Sequence, residues 1–411
     1  MVKDGGQLLE LNNNKRVKRL PKGFECLPDE LLAEILYRRR CSKSVIQCKC
    51  VCRRWCRVIS EAEFLREWDK RNVRASYHML YRMTPSSLSD KQADLYKMNY
   101  LFSLEKQTTS LVLDDRDDDT TGKVVGACHD VVLYCKDNKE GKYFEFFMKN
   151  MQTKQQVQLP SPSFYYNLSV IFRFFCDPPG NPMTWRYSVV VIHTSEHRDT
   201  TKFPAHFLLS TNGNKWCDKV LSVPKRCSIF PLVRAPAIHG KHFLGVYSGG
   251  IFVEPFPEEI NKVIECPLIS WPPHFNYGSH CVDVSNGNLL FSFIHYSAKR
   301  LWVWILKDYE TSEWHALHSI AIQDLISIDP RLKDRSFTTY QTIGCILGFD
   351  PTNPHLFYTI NARDIILWDL HRKTMQLISP IHGPPRDSRF GGLWTFSLTL
   401  PCSPTPLPNL L

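Results

Sequence analysis

The sequence has no long hydrophobic run. Every window of about 18 residues contains charged or strongly polar side chains, whereas a membrane-spanning helix needs roughly 20 predominantly apolar residues. The N-terminal segment begins with Lys3, Asp4 and an Asn-rich stretch and lacks the apolar centre of a secretory signal. We therefore expect no membrane partner and an intracellular protein, located in the nucleus, the cytoplasm or both.

Several motifs of enzymes are also missing. The sequence contains no glycine-rich phosphate loop, no G-x-S-x-G nucleophile turn and no H-E-x-x-H metal helix. Two histidine pairs, His193 with His197 and His239 with His242, have no third metal ligand nearby. We therefore predict a protein that is not an enzyme and that needs no cofactor or metal.

Cysteine, by contrast, is abundant, with 15 residues spread through the chain. An odd number of cysteines with mostly apolar neighbours is typical of reduced, buried thiols in an intracellular protein. The densest cluster consists of Cys41, Cys48, Cys50, Cys52 and Cys56. On a helix, Cys48 and Cys52 share a face and Cys50 points to nearly the opposite side, so these thiols do not converge on one tetrahedral zinc ion. We expect them to pack between helices.

The formal net charge of +10 raises the question of a polyanionic partner. Much of the excess lies before residue 75, including the run from Lys15 to Arg19, which suits a nuclear localisation signal, a weak nucleic-acid contact or a solvated tail. We favour the tail and do not expect a nucleic-acid partner.

The acidic run from Asp114 to Asp119 lacks the spacing of a calcium loop, and we interpret it as a solvated loop.

The stretch from Leu27 to Arg71 predicts a small helical module. Pro28 suits the start of a helix, and Asp29 and Glu30 complement its positive end. Ser42 suits the start of a second helix, and the arginines Arg53, Arg54 and Arg57 are expected to face solvent on a third. Phe64, Leu65 and Trp68 indicate a fourth helix. Such a short module buries too little surface to be stable alone, which predicts a binding partner.

The order of residues in this stretch resembles the F-box, with L-P-D-E-L-L-A-E-I-L, then V-C-R-R-W, then V-I-S and a phenylalanine. The resemblance implies docking on a Skp-type adaptor and, through it, on a cullin within a ubiquitin ligase whose other subunits carry the chemistry. Carried over to this chain, the adaptor-facing residues are Leu27, Pro28, Leu31, Leu32, Ile35, Leu36, Val45, Val51, Cys52, Trp55, Val58 and Ile59. Trp55 is expected to belong partly to the core and partly to the interface.

From Gly122 onward, short β-rich runs alternate with turn residues, which predicts an all-β domain. The runs are 124–125, 131–134, 143–148, 188–193, 205–210, 242–246, 251–254, 289–295, 301–306, 345–349, 356–360 and 365–370. A loose repeat ends in hairpins with Asn, Asp, Gly or Lys at the tip. Its interval of roughly 45 to 65 residues is close to that of a propeller blade.

This part of the chain resembles the kelch-like, F-box-associated β-propellers of plant F-box proteins. The most specific stretches are G-A-C-H-D-V-V-L-Y at 126, L-W-V-W-I-L-K-D-Y-E-T-S-E-W at 301 and C-I-L-G-F-D-P-T-N-P-H-L-F-Y at 345. At about 40 to 50 residues per blade, the domain has room for about six blades. The run 391–400 is expected to close the ring by pairing with the first blade.

The predicted fold is therefore α plus all-β, with a helical F-box followed by a β-propeller. We predict a disordered basic tail (1–22), an F-box (23–72), a connector (73–121), a propeller (122–401) and a C-terminal tail (402–411). The resemblance implies a substrate-recognition subunit that binds an unknown protein on one propeller face. Loop-like aromatic, histidine and arginine residues suited to that face are Trp185, Trp271, His274, Phe275, Tyr277 and Arg386, although they would equally suit packing between blades.

Three alternatives follow from other classes of protein. An orphan F-box protein would bind the adaptor without joining a ligase. A propeller receptor for a small molecule or glycan would need a polar-rimmed central pocket. A nucleic-acid-associated factor would show binding that falls steeply with salt.

Overall fold

The computed structural model describes the chain in segments. The described residues are 27–85, 99–104, 106, 108–111, 123–137, 144–162, 170–177, 186–193, 200–209, 215–227, 237–238, 241–247, 250–255, 262–265, 267, 280–295, 300–321, 324, 345–360, 364–380, 390–401 and 405–407. The basic run at 15–19 and the acidic run at 114–119 lie outside them. Among the helices of the described residues, none is long and apolar enough to cross a membrane.

The described part of the chain begins with five helices. They are α1 (Asp29–Tyr37), α2 (Ser42–Cys48), α3 (Arg53–Ser60), α4 (Ala62–Arg71) and α5 (Val73–Ser76). The predicted helical module is confirmed, with two adjustments: Cys41 is the N-cap residue of α2 and makes no side-chain capping bond, and the short helix α5 was not predicted. The core between these helices consists of Leu32, Leu36, Val45, Val58, Ile59, Phe64 and Trp68.

The remainder is built from twenty-four strands. The first twelve are β1 (Tyr77–Pro85), β2 (Asn99–Ser103), β3 (Thr108–Leu111), β4 (Lys123–Cys128), β5 (Val131–Asp137), β6 (Phe144–Asn150), β7 (Gln156–Gln158), β8 (Val170–Asp177), β9 (Arg186–His193), β10 (Thr200–Leu209), β11 (Lys215–Cys227) and β12 (Ala237–Ile238). The others are β13 (Lys241–Tyr247), β14 (Gly250–Pro255), β15 (Lys262–Glu265), β16 (His280–Ser285), β17 (Asn288–His295), β18 (Arg300–Asp308), β19 (Glu313–Ala321), β20 (Cys345–Phe349), β21 (Leu356–Ile360), β22 (Asp364–Asp369), β23 (Thr374–Pro380) and β24 (Phe390–Thr399).

These strands form four-stranded antiparallel sheets arranged as the blades of a β-propeller. Five blades consist of consecutive strands: blade 1 is β4–β7, blade 2 is β8–β11, blade 3 is β12–β15, blade 4 is β16–β19 and blade 5 is β20–β23. A further sheet, the closing blade, has the strand order β24-β1-β2-β3 and therefore combines both ends of the domain. The expectation of about six blades is therefore corrected, because the structure has five blades of consecutive strands and the composite sheet closes the ring.

The strand pattern follows from side-chain alternation. In β6 the burial alternates residue by residue, with Phe144, Phe146 and Met148 inside, as expected for a strand whose successive side chains point to opposite faces. Between β16 and β17 the two-residue turn Asn286-Gly287 has positive φ at both positions. Such turns match the twist of paired strands and favour Asn-Gly. Every β run predicted from the sequence overlaps one of these strands, although residues 143 and 210 lie outside the described residues and Leu370 follows the end of β22.

The core is divided among the contacts between neighbouring blades. Apolar clusters join the closing blade to blade 1, blade 1 to blade 2, blade 3 to blade 4, blade 4 to blade 5, and blade 5 to the closing blade. Polar contacts add to those between blades 1 and 2, blades 3 and 4, and blades 4 and 5, among others. For example, the buried carboxylate of Asp283 in blade 4 accepts a hydrogen bond from the backbone N–H of Phe349 in blade 5 at 2.8 Å.

The closing blade corrects the assignment of residues 73–121 as a connector. Strand β1 pairs with β24 along its whole length, from Tyr77 with Thr399 to Pro85 with Phe390. Strands β2 and β3 then extend the sheet outward. The run 391–400 does close the ring as predicted, but its partner is the chain segment directly after the helices. That segment lacks regular alternation because β1 is covered by blades on both faces.

The C-terminal segment is also more than a tail where the structure describes it. Thr405 is buried, its backbone N–H donates to both carboxylate oxygens of Asp130 at 3.2 Å, and its carbonyl accepts from Asn150 at 2.7 Å. Leu407 packs against the core between blades 1 and 2. Residues 405–407 therefore belong to the propeller.

Candidate protein-docking site on the helical domain

The twelve residues predicted to face an adaptor divide into two groups. Five of them lie in the core of the helical domain with 0–3% of their surface exposed, and these are Leu32, Leu36, Val45, Val58 and Ile59. These five side chains lie beneath the surface, because one side of each helix forms the core of the small domain. The prediction of a direct adaptor contact is therefore corrected for these five.

The other seven residues are accessible at the surface. Leu31 is 53% exposed, Ile35 42% and Val51 42%. Pro28 is exposed, and Leu27, Cys52 and Trp55 are partly exposed. Only two other large apolar side chains among the described residues are comparably exposed, Val220 and Leu377, and they lie on different blades. A concentration of exposed apolar side chains in one small domain is typical of a protein-binding surface.

Helix α1 presents two of these side chains together. Leu31 and Ile35 are four residues apart, so they are neighbours on one face of the helix, whereas Leu32 and Leu36 occupy the adjacent, buried face. The helix therefore carries two apolar stripes. One is used by the domain and the other remains at the surface.

The Arg54 side chain connects the start of α3 to the start of α1. Its Nε donates to Asp29 Oδ1 at 2.6 Å, and its Nη2 donates to the carbonyl oxygen of Leu27. Arg57 Nη2 adds a bond to Asp29 Oδ2 at 2.6 Å. Val51 lies three residues before Arg54 in the turn between α2 and α3. We call the surface formed by Leu27, Pro28, Leu31, Ile35, Val51, Cys52 and Trp55 the docking face.

Arg54 is only 30% exposed, which corrects the expectation that it faces solvent, whereas Arg57 is 65% exposed as expected and still pairs with Asp29. The hydrogen bond from Arg54, more than any other cause, holds the pKa of Asp29 below its ordinary value, and the charge of Arg57 acts in the same direction. From the sequence, Asp29 was expected only to complement the positive end of α1. The additional signal was a carboxylate in the first turn of one helix together with arginines in the first and last turns of another.

A second network holds the opposite end of α1. Arg71 donates to Glu34 Oε2 and to Glu67 Oε1, both at 2.6 Å, and its guanidinium lies 4.5 Å from the centre of the Tyr37 ring. Trp68 Nε1 donates to the carbonyl oxygen of Arg39 at 3.0 Å. Both ends of α1 are therefore fixed by α3 and α4, which holds the docking face in one shape without a partner.

The cysteine cluster is less buried than predicted. Cys41, Cys50 and Cys56 are exposed, and Cys48 and Cys52 are partly buried, with Cys48 packed against the core. The expectation of packing between helices is wrong for the three exposed thiols, because α2 and α3 use valine, isoleucine and tryptophan for the contacts between helices. Among the described residues, no group of three or more His, Cys, Asp or Glu is placed to hold a metal ion.

The predicted substrate-facing residues Trp185, Trp271, His274, Phe275, Tyr277 and Arg386 all lie outside the described residues. Of the histidine pairs, His197 and His239 also lie outside them. His193 stacks edge-on against His206 at 4.9 Å, and burial lowers its pKa. His206 in turn contacts Asp218 at 2.6 Å. The side chains of His193, His206 and Asp218 therefore connect neighbouring strands of blade 2.

Comparison with known proteins supports the assignment of the helical domain. Residues 24–67 match the F-box-like family model, and the chain thus carries an F-box-like domain followed by a β-propeller. The comparison with curated proteins found no match.

Solved structures that are similar to the chain share little sequence identity with it. Apo AztD from Citrobacter koseri is 6% identical with a TM-score of 0.34, covering 76% of this chain and 84% of that one. The β-propeller domain of the Trilobed protease from Pyrococcus furiosus is 11% identical with a TM-score of 0.33, covering 70% and 75%. An acylaminoacyl peptidase from Pyrococcus horikoshii is 10% identical with a TM-score of 0.32, covering 66% of this chain but 40% of its own.

Proposed function

We propose that this protein is the substrate-recognition subunit of a Skp, cullin and F-box ubiquitin ligase. The observation that carries the proposal is the docking face, where Leu31, Ile35 and Val51 are exposed on an F-box-like domain whose core is already complete. F-box domains generally bind Skp-type adaptors, and an adaptor would cover the apolar side chains that water now contacts. The cullin would bind through the adaptor. The kelch-like, plant-type character of the propeller is part of the same proposal.

The propeller would hold the protein substrate while other subunits supply the ubiquitin-transfer chemistry. Its contribution is proximity, because a substrate held near the loaded conjugating enzyme reacts as if at high concentration. The join between the two domains suits that role. Helix α5 ends at Ser76 and β1 begins at Tyr77, so no linker separates the F-box helices from the closing blade.

The test is copurification of the full chain with a Skp-type adaptor and a cullin. We expect the wild-type chain to bind both, and a Leu31→Ala, Ile35→Ala double variant to bind the adaptor at least about tenfold more weakly, because central apolar anchors contribute most of the energy of an interface. Both replaced side chains are exposed, so folding should change little. Thermal unfolding of the variant provides the check.

The matched control is a Val220→Ala, Leu377→Ala double variant, which removes two equally apolar exposed side chains from blades 2 and 5. It should bind the adaptor like the wild type. A wild-type chain that does not bind the adaptor contradicts the proposal. A chain that binds the adaptor but never recruits the cullin would instead support the orphan F-box alternative.

A further inference from the structure

Two cysteine side chains from neighbouring blades contact each other. The Sγ of Cys128 donates to the carbonyl oxygen of Cys176 at 3.5 Å, and the Sγ of Cys176 donates to the carbonyl oxygen of Cys128 at 3.7 Å. Cys128 is the last residue of β4 in blade 1, and Cys176 is the last but one of β8 in blade 2. Both side chains are thiols in this structure. Cys176 belongs to the apolar cluster between the two blades, and Cys128 packs against it.

The backbones of β4 and β8 approach closely enough here for a disulfide. Two residues before the cysteines, a Cβ atom added to Gly126 would lie 2.4 Å from Phe174 Cβ and 3.5 Å from Phe174 Cα. Because a Cα–Cβ bond is about 1.5 Å long, the two Cα atoms lie within about 5 Å of each other. Disulfides usually join residues whose Cα atoms are about 4.4–6.8 Å apart.

The cysteines occupy the next facing positions along the same two strands. Gly126 and Cys128 are two residues apart, as are Phe174 and Cys176, so the members of each pair share one face of their strand. The reciprocal contacts of the two sulfur atoms show that the strands are still adjacent at the cysteines. Rotation of the two side chains about their Cα–Cβ bonds is therefore sufficient to bring the sulfurs together.

The two thiols differ in their access to solvent. Cys128 is partly exposed, whereas only 3% of the surface of Cys176 is exposed. An oxidant in solution therefore reaches Cys128 first. An accessible thiol beside a second thiol that can displace the oxidant is typical of redox-sensing cysteines. Disulfides in reducing compartments are usually transient ones of this kind.

We propose that Cys128 and Cys176 form a reversible disulfide that links blades 1 and 2 under oxidising conditions. With glutathione disulfide as the oxidant, the Cys128 thiolate attacks one of its sulfurs, and one glutathione leaves as a thiolate. The Cys176 thiolate then attacks the Sγ of Cys128, and the second glutathione leaves. The two glutathione thiolates take up the protons released by the two cysteines. Glutathione disulfide is thus reduced, the cysteine pair is oxidised, and no step depends on adaptor binding.

The disulfide stabilises the contact between the two blades. It joins residues that are 48 positions apart, and a crosslink of this kind stabilises a protein mainly by restricting the unfolded chain. Leu407 of the C-terminal segment packs against the same apolar cluster. Oxidation therefore strengthens the part of the propeller on which that segment rests.

The experiment uses the full chain, reduced or treated with glutathione disulfide. After alkylation of the remaining thiols and digestion with trypsin, we expect mass spectrometry to find peptide 124–136 linked to peptide 174–186. Fragment spectra should assign the bond to Cys128 and not to Cys135, which lies in the same peptide. The unfolding temperature should rise by about 5 °C on oxidation. Dithiothreitol should reverse both changes.

Serine variants separate the roles of the two thiols. Cys176→Ser should accumulate glutathione at Cys128, because no second thiol displaces it. Cys128→Ser should carry no glutathione at the buried Cys176, and neither variant should gain thermal stability on treatment. The matched control is Cys217→Ser, which removes another partly exposed cysteine of blade 2 and should form the disulfide as the wild type does.

Three results would overturn the proposal. The first is a treated wild-type chain in which exposed cysteines such as Cys50 react while Cys128 and Cys176 stay unmodified. The second is glutathione that remains on Cys128 of the wild type without a link to Cys176. The third is an equal rise in the unfolding temperature of the wild type and of Cys128→Ser, which would assign the stabilisation to other thiols.

Discussion

Arg74 of α5 forms an ion pair with Asp350 of blade 5, with 3.2 Å between the guanidinium Nε and a carboxylate oxygen. Asp350 is completely buried, and its other carboxylate oxygen accepts bonds from the backbone N–H and the hydroxyl of Thr352 at 3.0 and 2.7 Å. The ion pair therefore links the last helix after the F-box to the inside of the propeller. Together with the direct passage from α5 into β1, it fixes the two domains to each other.

We expect Arg74→Ala to weaken this junction. The substitution leaves a buried carboxylate without its cation, but Arg74 itself is 45% exposed, so we discount the cost of a fully buried pair to about 1–2 kcal/mol. Thermal unfolding of the full chain measures the loss. The control is Arg372→Ala, whose 3.8 Å contact with Asp369 involves a side chain that is 79% exposed. Equal unfolding temperatures for both variants would show that the Arg74 contact contributes nothing to the junction.

Gly126 is needed for the approach of two blades. A Cβ atom at this position would clash with Phe174 Cβ of blade 2. Gly287 is needed for a different reason, since its φ is +72° and nothing lies within 4 Å of the added Cβ. We therefore expect Gly126→Ala to destabilise the propeller by about 1–3 kcal/mol through overpacking.

Replacing each glycine by alanine and by asparagine separates the steric cause at Gly126 from the backbone cause at Gly287. At position 287, asparagine should be tolerated better than alanine, because it adopts left-handed backbone more readily. At position 126, asparagine should be worse than alanine, because it is larger. Chemical denaturation of the four variants gives the two rankings, and the same ranking at both positions would refute the steric explanation for Gly126.

The sequence predicted the parts of the fold that depend on local patterns. The start signals of the helices and the β-rich runs, such as 143–148, are visible in any short window. Strand β1 was missed because its residues meet β24 more than 300 positions later, as in the pair Tyr77 with Thr399. No local pattern reveals such a partner.

In the docking face, local sequence patterns likewise do not predict which single residues are exposed. Leu31 and Leu32 were both expected to face the adaptor, since they are adjacent in sequence and equally hydrophobic. Only the positions of α3 and α4 decide that Leu32 is buried and Leu31 exposed. The pairing of Arg54 with Asp29 likewise depends on how the turn between α2 and α3 returns the chain to α1.

Acid should destabilise the propeller before the carboxylates titrate. His280 of β16 is buried, and burial lowers its pKa to about 3. Burial, with help from the neighbouring His355 and His371, lowers the pKa of His318 to about 4. These histidines stay neutral in the folded chain but bind protons in the unfolded chain below pH 6.5 or so. Their contribution to stability is therefore complete above that pH and is lost as the pH falls toward the folded pKa values.

For His280 the loss in the free energy of unfolding amounts to roughly 2 kcal/mol between about pH 6.5 and pH 4.5. The free energy of unfolding, measured by urea denaturation across that range, should change less steeply with pH for His280→Gln than for the wild type. The exposed His315 supplies the control, since His315→Gln should keep the wild-type slope. Parallel pH profiles for the wild type and His280→Gln would mean that His280 is not the residue responsible.

Asn150 holds the C-terminal segment against blade 1. Its amide nitrogen donates to Asp130 Oδ2 at 2.8 Å and to the carbonyl of Thr405 at 2.7 Å, and its carbonyl oxygen accepts from the N–H groups of Gln152 and Thr153, both at 2.8 Å. Asn150 and Asp130 are fully buried. Burial raises the pKa of Asp130, and the hydrogen bonds from Thr405 and Asn150 oppose that rise. The carboxylate thus depends on these donors.

We expect Asn150→Ala to cost about 2–4 kcal/mol, because it leaves several buried polar groups unsatisfied at once. The loss should also be local. Backbone amides at 405–407 should exchange with deuterium faster in the variant, whereas those of blade 4 should not. Asn288→Ala, which removes one exposed bond to the carbonyl of Asn286, should change neither stability nor exchange at 405–407. Unchanged exchange at Thr405 in Asn150→Ala would mean that the segment is held by Leu407 and its apolar neighbours instead.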